Sequence, residues 1–162
     1  MKTTDDILVI GNPILHEISA PISQDELPKL NGWVNDLHSA MEDFSRKYQF
    51  GRGIAAPQLG ILKRLIYLNL DKPYIIINPE IIYKTTEMNI LWDDCMSFPN
   101  LLVRVNRHKL IIIKYLNESW EEKEWELEGD LAELFQHEYD HLDGILSTQR
   151  AIDEKSFKWK KY

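Results

Sequence analysis

One cysteine, Cys95, stands among 162 residues, so no internal disulfide can form. The thiol that remains is a buried hydrophobe, a metal ligand or a nucleophile. No apolar run approaches the ~20 residues needed to cross a membrane, which argues against a membrane protein. The N-terminus, Met1 to Asp6, leads into only a short apolar stretch before Gly11-Asn12-Pro13. The long apolar segment of a secretory leader is therefore missing, and a cytoplasmic location is expected. Positive charge is also scarce: 19 Lys and Arg against 26 Asp and Glu leave a net charge of −7, which argues against specific DNA binding. There is no repeat, low-complexity segment or polar linker, so a single domain over residues 1–162 is expected. Such a length suffices to bury roughly two-thirds of the surface exposed by the unfolded chain.

What is present is organised around Gln136-His137-Glu138-Tyr139-Asp140-His141-Leu142-Asp143-Gly144. Asp130 can cap a helix and Gly144 can stop it, with Leu131, Leu134, Phe135 and Leu142 at three- and four-residue spacing between them. On that helix His137 and His141 are one turn apart on one face, and two imidazoles so placed can hold one divalent ion. Glu138 lies beside them, within reach of a proton on a water held there. The chemistry suggested is metal-assisted hydrolysis; the alternative is a helix carrying two surface or core histidines.

A long helix from about Glu26 to Gln49 follows from Leu27, Leu30, Val34, Leu37, Met41, Phe44 and Tyr48 on one stripe. Gly32 weakens it by about 1 kcal/mol relative to Ala, less than the stripe supplies. His38 falls off the stripe and is expected in solvent. Arg64 to Leu70, Tyr74 to Asn78 and Glu80 to Lys84 read as three strands separated by Asp-Lys-Pro and Asn-Pro turns. Leu101 to Val105, Lys109 to Leu116 and Lys123 to Glu128 extend the pattern. Strands clustered between two helices give an α+β class with antiparallel sheets. The last residues, Lys155 to Tyr162, interleave basic and aromatic side chains. They read as a solvated, frayed terminus, with weak contact to RNA or a ribosomal surface as the alternative.

A catalytic site of the zinc type needs a third protein ligand and an open fourth position. Cys95, in the polar turn Trp92-Asp93-Asp94-Cys95-Met96-Ser97, is the candidate; His16 and His108 stand alone in turn-like and strand contexts. A second unusual stretch, Gly51-Arg52-Gly53-Ile54-Ala55-Ala56-Pro57-Gln58, has almost no side-chain bulk, so something approaches its backbone closely.

These three stretches, in this order, resemble the motifs of the peptide deformylase family, Gly-x-Gly-x-Ala-Ala-x-Gln, Glu-Gly-Cys-x-Ser and Gln-His-Glu-x-x-His-x-x-Gly. The first and third match at every fixed position. The resemblance implies antiparallel sheets packed around a central metal-site helix, with a long N-terminal helix. It implies Cys95, His137 and His141 as ligands of one divalent ion, with Fe(II) favoured and Zn(II), Ni(II) or Co(II) as substitutes. It implies Glu138 as general base, and Gln58 with the backbone N–H of Met96 as oxyanion donors. The substrate implied is the N-formylmethionyl end of a nascent chain, lying as an added strand against Gly51, Arg52, Gly53 and Ile54. Ser97, Asp140 and Gln136 read as supporting residues.

Three departures stand out. Asp93 replaces the family's Glu, keeps a carboxylate and is expected to pair with Arg104. Asp94 replaces a Gly, and Arg52 stands where an apolar residue is usual. Arg52 and Asp94 are expected to face each other across the peptide cleft and affect substrate choice; the alternative is two unrelated solvated charges. Two other functions stay open: a metallohydrolase on another formyl or acyl-amide substrate, and a deformylase-like binding protein without useful turnover. A thiolate third ligand departs from the patterns of general zinc proteases.

Overall fold

The computed structural model describes residues 1–161. The first helix, α1, spans Leu27–Tyr48 and ends where Gln49 turns left-handed at φ 61°. The helix thus ends at the last residue of the expected span, on a left-handed glutamine. All seven residues of the apolar stripe join one core, with Leu37, Met41 and Phe44 fully enclosed. Burial of each such side chain contributes about 1.5–3 kcal/mol, which outweighs the cost of the exposed Gly32. At the start of α1, Glu26 accepts from the Ser23 backbone and from Lys63, whose Nζ lies 2.8 Å away.

Two antiparallel sheets follow. The five-stranded sheet contains β1 (Gly53–Ala55), β2 (Leu65–Asn69), β3 (Pro73–Lys84), β6 (Leu110–Leu116) and β7 (Glu122–Glu128), in the order β1-β2-β3-β6-β7. The three-stranded sheet contains β4 (Met88–Asp93), β5 (Leu101–His108) and β8 (Phe157–Trp159), in the order β4-β5-β8. The second helix, α2, spans Asp130–Leu142. Strand alternation divides β2 between two cores: Leu65 and Tyr67 face α1, while Ile66 and Leu68 join the core containing Phe135 and Leu142 of α2. A third core, with Leu15, Phe98, Val103, Val105 and Leu146, backs the three-stranded sheet.

The α+β class and the antiparallel pairing match the expectation, but three strands differ. Tyr74 to Lys84 is one bent strand rather than two. Asn78, at φ 48°, makes a bulge between Ile77 and Glu80 instead of a reversal. Its side-chain amide bonds both the N–H and the C=O of Ile22 at 2.8 Å, which holds that conformation. Strand β4 went unseen because Ile90, Leu91 and Trp92 put apolar residues on both parities. The expected frayed terminus is a paired strand: Phe157, Lys158 and Trp159 register against Val103, Leu102 and Leu101. Their side chains are exposed, so the backbone pairing, with a contact of Lys158 on the Trp92 ring, orders them. Tyr162, included in that expectation, lies outside the described residues.

Candidate metal centre

Helix α2 opens one residue earlier than its sequence suggests, with Gly129 rather than Asp130 at the cap and Asp130 and Glu133 in the first turn, where the helix dipole favours negative charge. One face of the helix packs on the five-stranded sheet. On its other side it carries His137, Glu138 and His141, all less than a tenth exposed. Strand β1 passes close alongside at Gly53. A Cβ on Gly53 would lie 2.7 Å from Leu68 Cδ2 and 3.3 Å from Glu138 Cγ.

The turn after β4 folds inward, so Cys95 is buried among the apolar residues of the third core despite its polar neighbours in sequence. Its Sγ lies 3.4 Å from His141 Nε2, which is 3.2 Å from His137 Nε2. The three donor atoms fall within 4.8 Å of one another. Asp93 Oδ2 accepts from His137 Nδ1 at 2.9 Å, so the proton on Nδ1 leaves the lone pair of Nε2 facing the cluster. Two ring nitrogens and a sulfur this close must share either protons or a metal cation between them. One thiolate and two imidazoles suit a tetrahedral divalent ion with an open fourth position, so the residues fit the metal.

The surrounding electrostatics are strong. Burial works against charge on His137, yet the Asp93 carboxylate and Cys95 outweigh it and hold its pKa well above the usual imidazole value. Burial and the neighbouring His137 push His141 well below it. Burial also opposes ionisation of Asp93, but His137 and Arg107 hold its pKa down to about 2. For Glu138 burial outweighs the more distant charges of His137 and Arg107 and raises its pKa to about 7, and its Oε2 has no hydrogen-bond partner among the described residues.

Arg107 is the residue that sequence reasoning missed. Asp93 pairs with it at 3.0 Å, not with Arg104, and the same guanidinium donates to Asp140 at 2.6 Å. Trp92 lies opposite Arg104 in the β4–β5 register, which puts Arg104 on the outer face, near Asp153. Strand parity is the signal that separates Arg104 from Arg107, and it is readable only once β4 is known. Asp140 also holds Arg150 at 2.9 Å, and Gln136 bonds both backbone groups of His108. His108 turns its Nδ1 to the Thr85 carbonyl, and His16 is exposed, so neither reaches the centre.

A pocket of about 160 Å³ opens onto the centre. Gly51, Arg52 and Gly53 form one bank, Asp94, Cys95 and Met96 the other, and His137 and Glu138 the floor. Gln58 is buried behind Cys95, with its carbonyl on the Ala55 N–H and its Nε2 3.7 Å from Cys95 Sγ and 3.1 Å from Ser97 Oγ. The Ile54 side chain enters the first core, so only its backbone belongs to the strand edge. Arg52 and Asp94 share the pocket but do not pair. Arg52 lies 3.1 Å from Asp130 Oδ2, and Asp94 is held by Lys160.

Three donor atoms that could hold an ion, a side left open to a pocket and an acid whose Oε2 has no hydrogen-bond partner among the described residues are what hydrolysis at a metal ion requires, and the chain falls in the class of metal-dependent hydrolases. Comparison with known proteins narrows that class. A family model described as polypeptide deformylase matches residues 4–157, and the chain belongs to this family. It is 36% identical over 157 residues to the peptide deformylase of Thermotoga maritima, covering 96% of this chain and 92% of that one. The crystal structure of peptide deformylase from Thermotoga maritima matches with a TM-score of 0.81 at 35% identity, over 91% of this chain and 97% of that one. A peptide deformylase from Acinetobacter baumannii, solved with Met-Ala-Ser bound, matches with a TM-score of 0.81 at 34% identity, over 89% and 97%.

Proposed function

We propose that the chain works as a single cytoplasmic domain that hydrolyses the formyl amide of N-formylmethionyl peptides at the ends of newly made polypeptides. Water oxygen bonds to the formyl carbon, the C–N bond breaks, and formate and a free amine leave. The observation that carries this reading is Glu138, a buried and unpaired carboxyl on the floor of a pocket walled by an open strand edge. With its pKa near neutrality through burial, Glu138 can take a proton from the attacking water and return it to the departing nitrogen.

Cys95, His137 and His141 would hold the ion, which when bound supplies Lewis acidity to water and to the formyl carbonyl. A thiolate with two imidazoles suits borderline divalent metals in general, and Fe(II) is the proposed ion on the family resemblance, with Zn(II), Ni(II) and Co(II) as replacements. Gln58 Nε2 and the Met96 N–H would donate to the oxyanion, each worth roughly 3 kcal/mol. The Gln58 amide is already oriented by Ala55 and Ser97, which spares reorganisation during the reaction. Strand β1 pairs with β2 on one side only, so its other edge can bond a peptide added as a strand. Gly51, Arg52, Gly53, Ile54 and Asp94 are the proposed substrate contacts. The Met-Ala-Ser held by the Acinetobacter relative supports a peptide occupant. A weak ribosome contact through exposed Lys158, Trp159 and Lys161 belongs to the same proposal.

The test is formate release from formyl-Met-Ala, with acetyl-Met-Ala as control, on enzyme of measured metal content. Release from the formyl peptide alone is expected. Absence of release by metal-loaded enzyme would sink the reading.

A further inference from the structure

Lys160 lies past residue 157, where the family match ends, and it reaches both banks of the pocket. Its Nζ lies 3.0 Å from Asp94 Oδ2 on the cysteine-turn bank and 3.5 Å from the ring centroid of Phe50 on the strand bank. Phe50 and Asp94 both line the pocket. The lysine backbone is fixed too, since its N–H donates to the Asn100 carbonyl at 2.7 Å, continuing the line of β8. Its side chain is 19% exposed and that of Asp94 is 39% exposed, so the pair is partly withdrawn from water. The aromatic face of Phe50 adds a cation–π contact to the ion pair.

Asp94 stands where the family motif has a glycine, so without a partner it would place a negative charge at the mouth of the pocket. A charge there acts on any charged substrate residue that comes within a Debye length, about 8 Å at physiological salt. We propose that Lys160 is a specificity-determining residue that neutralises Asp94 and makes the pocket indifferent to the charge of the residues following the substrate methionine. This rests on the deformylase reading and deepens it. An enzyme acting on newly made chains meets every kind of downstream residue, and a matched pair removes the bias that one uncompensated carboxylate would impose. The order of events in the sequence is then intelligible: the aspartate departs from the motif in one loop, and a lysine brought by the last strand compensates it.

The experiment compares formyl-Met-Ala-Lys and formyl-Met-Ala-Asp, both amidated at the C-terminus so that no terminal carboxylate interferes. Wild type, Lys160→Ala, Lys160→Arg, Asp94→Gly and the double variant Lys160→Ala/Asp94→Gly are assayed for kcat/KM. Dissociation constants of the matching products, Met-Ala-Lys-amide and Met-Ala-Asp-amide, are measured by calorimetry, which needs no turnover. In Lys160→Ala the preference for the lysine peptide should rise about three- to tenfold, the range expected of an uncompensated, partly screened charge. In Asp94→Gly it should move by a similar factor in the opposite direction. The double variant and Lys160→Arg should return to within about twofold of wild type, because the two charges act as one unit. A purely structural role for either residue would not give shifts of opposite sign. Unchanged preferences in all variants, or single-variant shifts of the same sign, would overturn the proposal. A wild type that binds the products but releases no formate would defeat the deformylase reading alone, with the dissociation constants still deciding the role of Lys160. A wild type that neither binds nor turns over these peptides overturns both.

Discussion

The carboxylate of Asp93 lies 2.9 Å from Nδ1 of His137, joining the strand before the cysteine turn to the helix that carries the other ligands. Because an acceptor on Nδ1 fixes the ring's orientation and proton, Asp93→Asn should cost about 10- to 100-fold in metal affinity while leaving the three ligands in place. Competition against a chelator measures this. An affinity equal to wild type would show that His137 needs no such partner.

Behind Asp93, Arg107 is 4% exposed and holds both Asp93 and Asp140. Replacing it by Met would leave Asp93 with His137 alone and Asp140 with the half-exposed Arg150 alone. Breaking a buried pair in this way typically costs 3–5 kcal/mol, well above the ~1 kcal/mol of an exposed pair such as Arg52–Asp130. Urea unfolding of Arg107→Met and Arg52→Met should reproduce that contrast. Equal losses would mean that Arg107 contributes no more than a surface charge.

The difference between Arg107 and the ligands also shows what the sequence makes legible. His137, Glu138 and His141 lie within five residues on one helix, so their juxtaposition is local and readable from spacing. The α1 stripe is readable for the same reason, with seven apolar residues on one 3.6-residue period. The partner of Asp93 depends instead on which face of β5 each arginine takes, and that follows from pairing with a strand whose apolar residues show no alternation. Likewise Asn78-Pro79 carries a turn signal, but the amide of Asn78 bonds Ile22, 56 positions earlier, and makes a bulge. Strand β8 has only exposed side chains, so no hydrophobic pattern announces it, and Lys160 could not be placed beside Asp94 without it.

Cys95 is the proposed ligand with no local helper in sequence, and its replacement tests the cluster. Cys95→Ser should weaken binding of soft divalent ions by tenfold or more, on the order expected for exchanging a thiolate for a hydroxyl, and should alter the visible spectrum of the Co(II)-loaded protein. Retention of metal content and spectrum would remove Cys95 from the ligand set.

Glu26 provides a pH prediction away from the metal. The Lys63 ammonium and the Ser23 backbone draw its pKa down to about 2, against an ordinary value of about 4.3. A carboxylate whose pKa is lowered by folding adds stability that is fully present above the unfolded value and is lost as pH falls through the folded one. The Tm gap between wild type and Glu26→Gln should therefore be constant above about pH 5 and close as pH falls toward 2. A gap unchanged across that window would show that the ion pair does not anchor the start of α1.

For the chemistry itself, Glu138→Gln should keep the fold and the metal but lose turnover on the order of a hundredfold or more, since the amide cannot take the proton. Wild-type activity in this nearly isosteric variant would send the proton to another acceptor.

Gly53→Ala tests the same carboxylate through its neighbour. The added Cβ would lie 2.7 Å from Leu68 Cδ2 and 3.3 Å from the Cγ of Glu138 and the Cδ1 of Leu134. Overpacking of this kind costs about 1–3 kcal/mol, and the closer clash is with the end of a flexible leucine, which can move. Glu138 has less freedom, because its carboxyl must stay beside the cluster, and misplacing a reacting group by about 1 Å can cost on the order of a hundredfold in rate. Gly53→Ala should thus lower kcat by about tenfold or more, beyond what its loss of stability explains. Adding Leu68→Val, which removes the clashing methyl, should recover stability while kcat stays low. If the double variant regains both, the contact with Leu68 accounts for the whole effect and the approach of β1 to Glu138 has no part in catalysis.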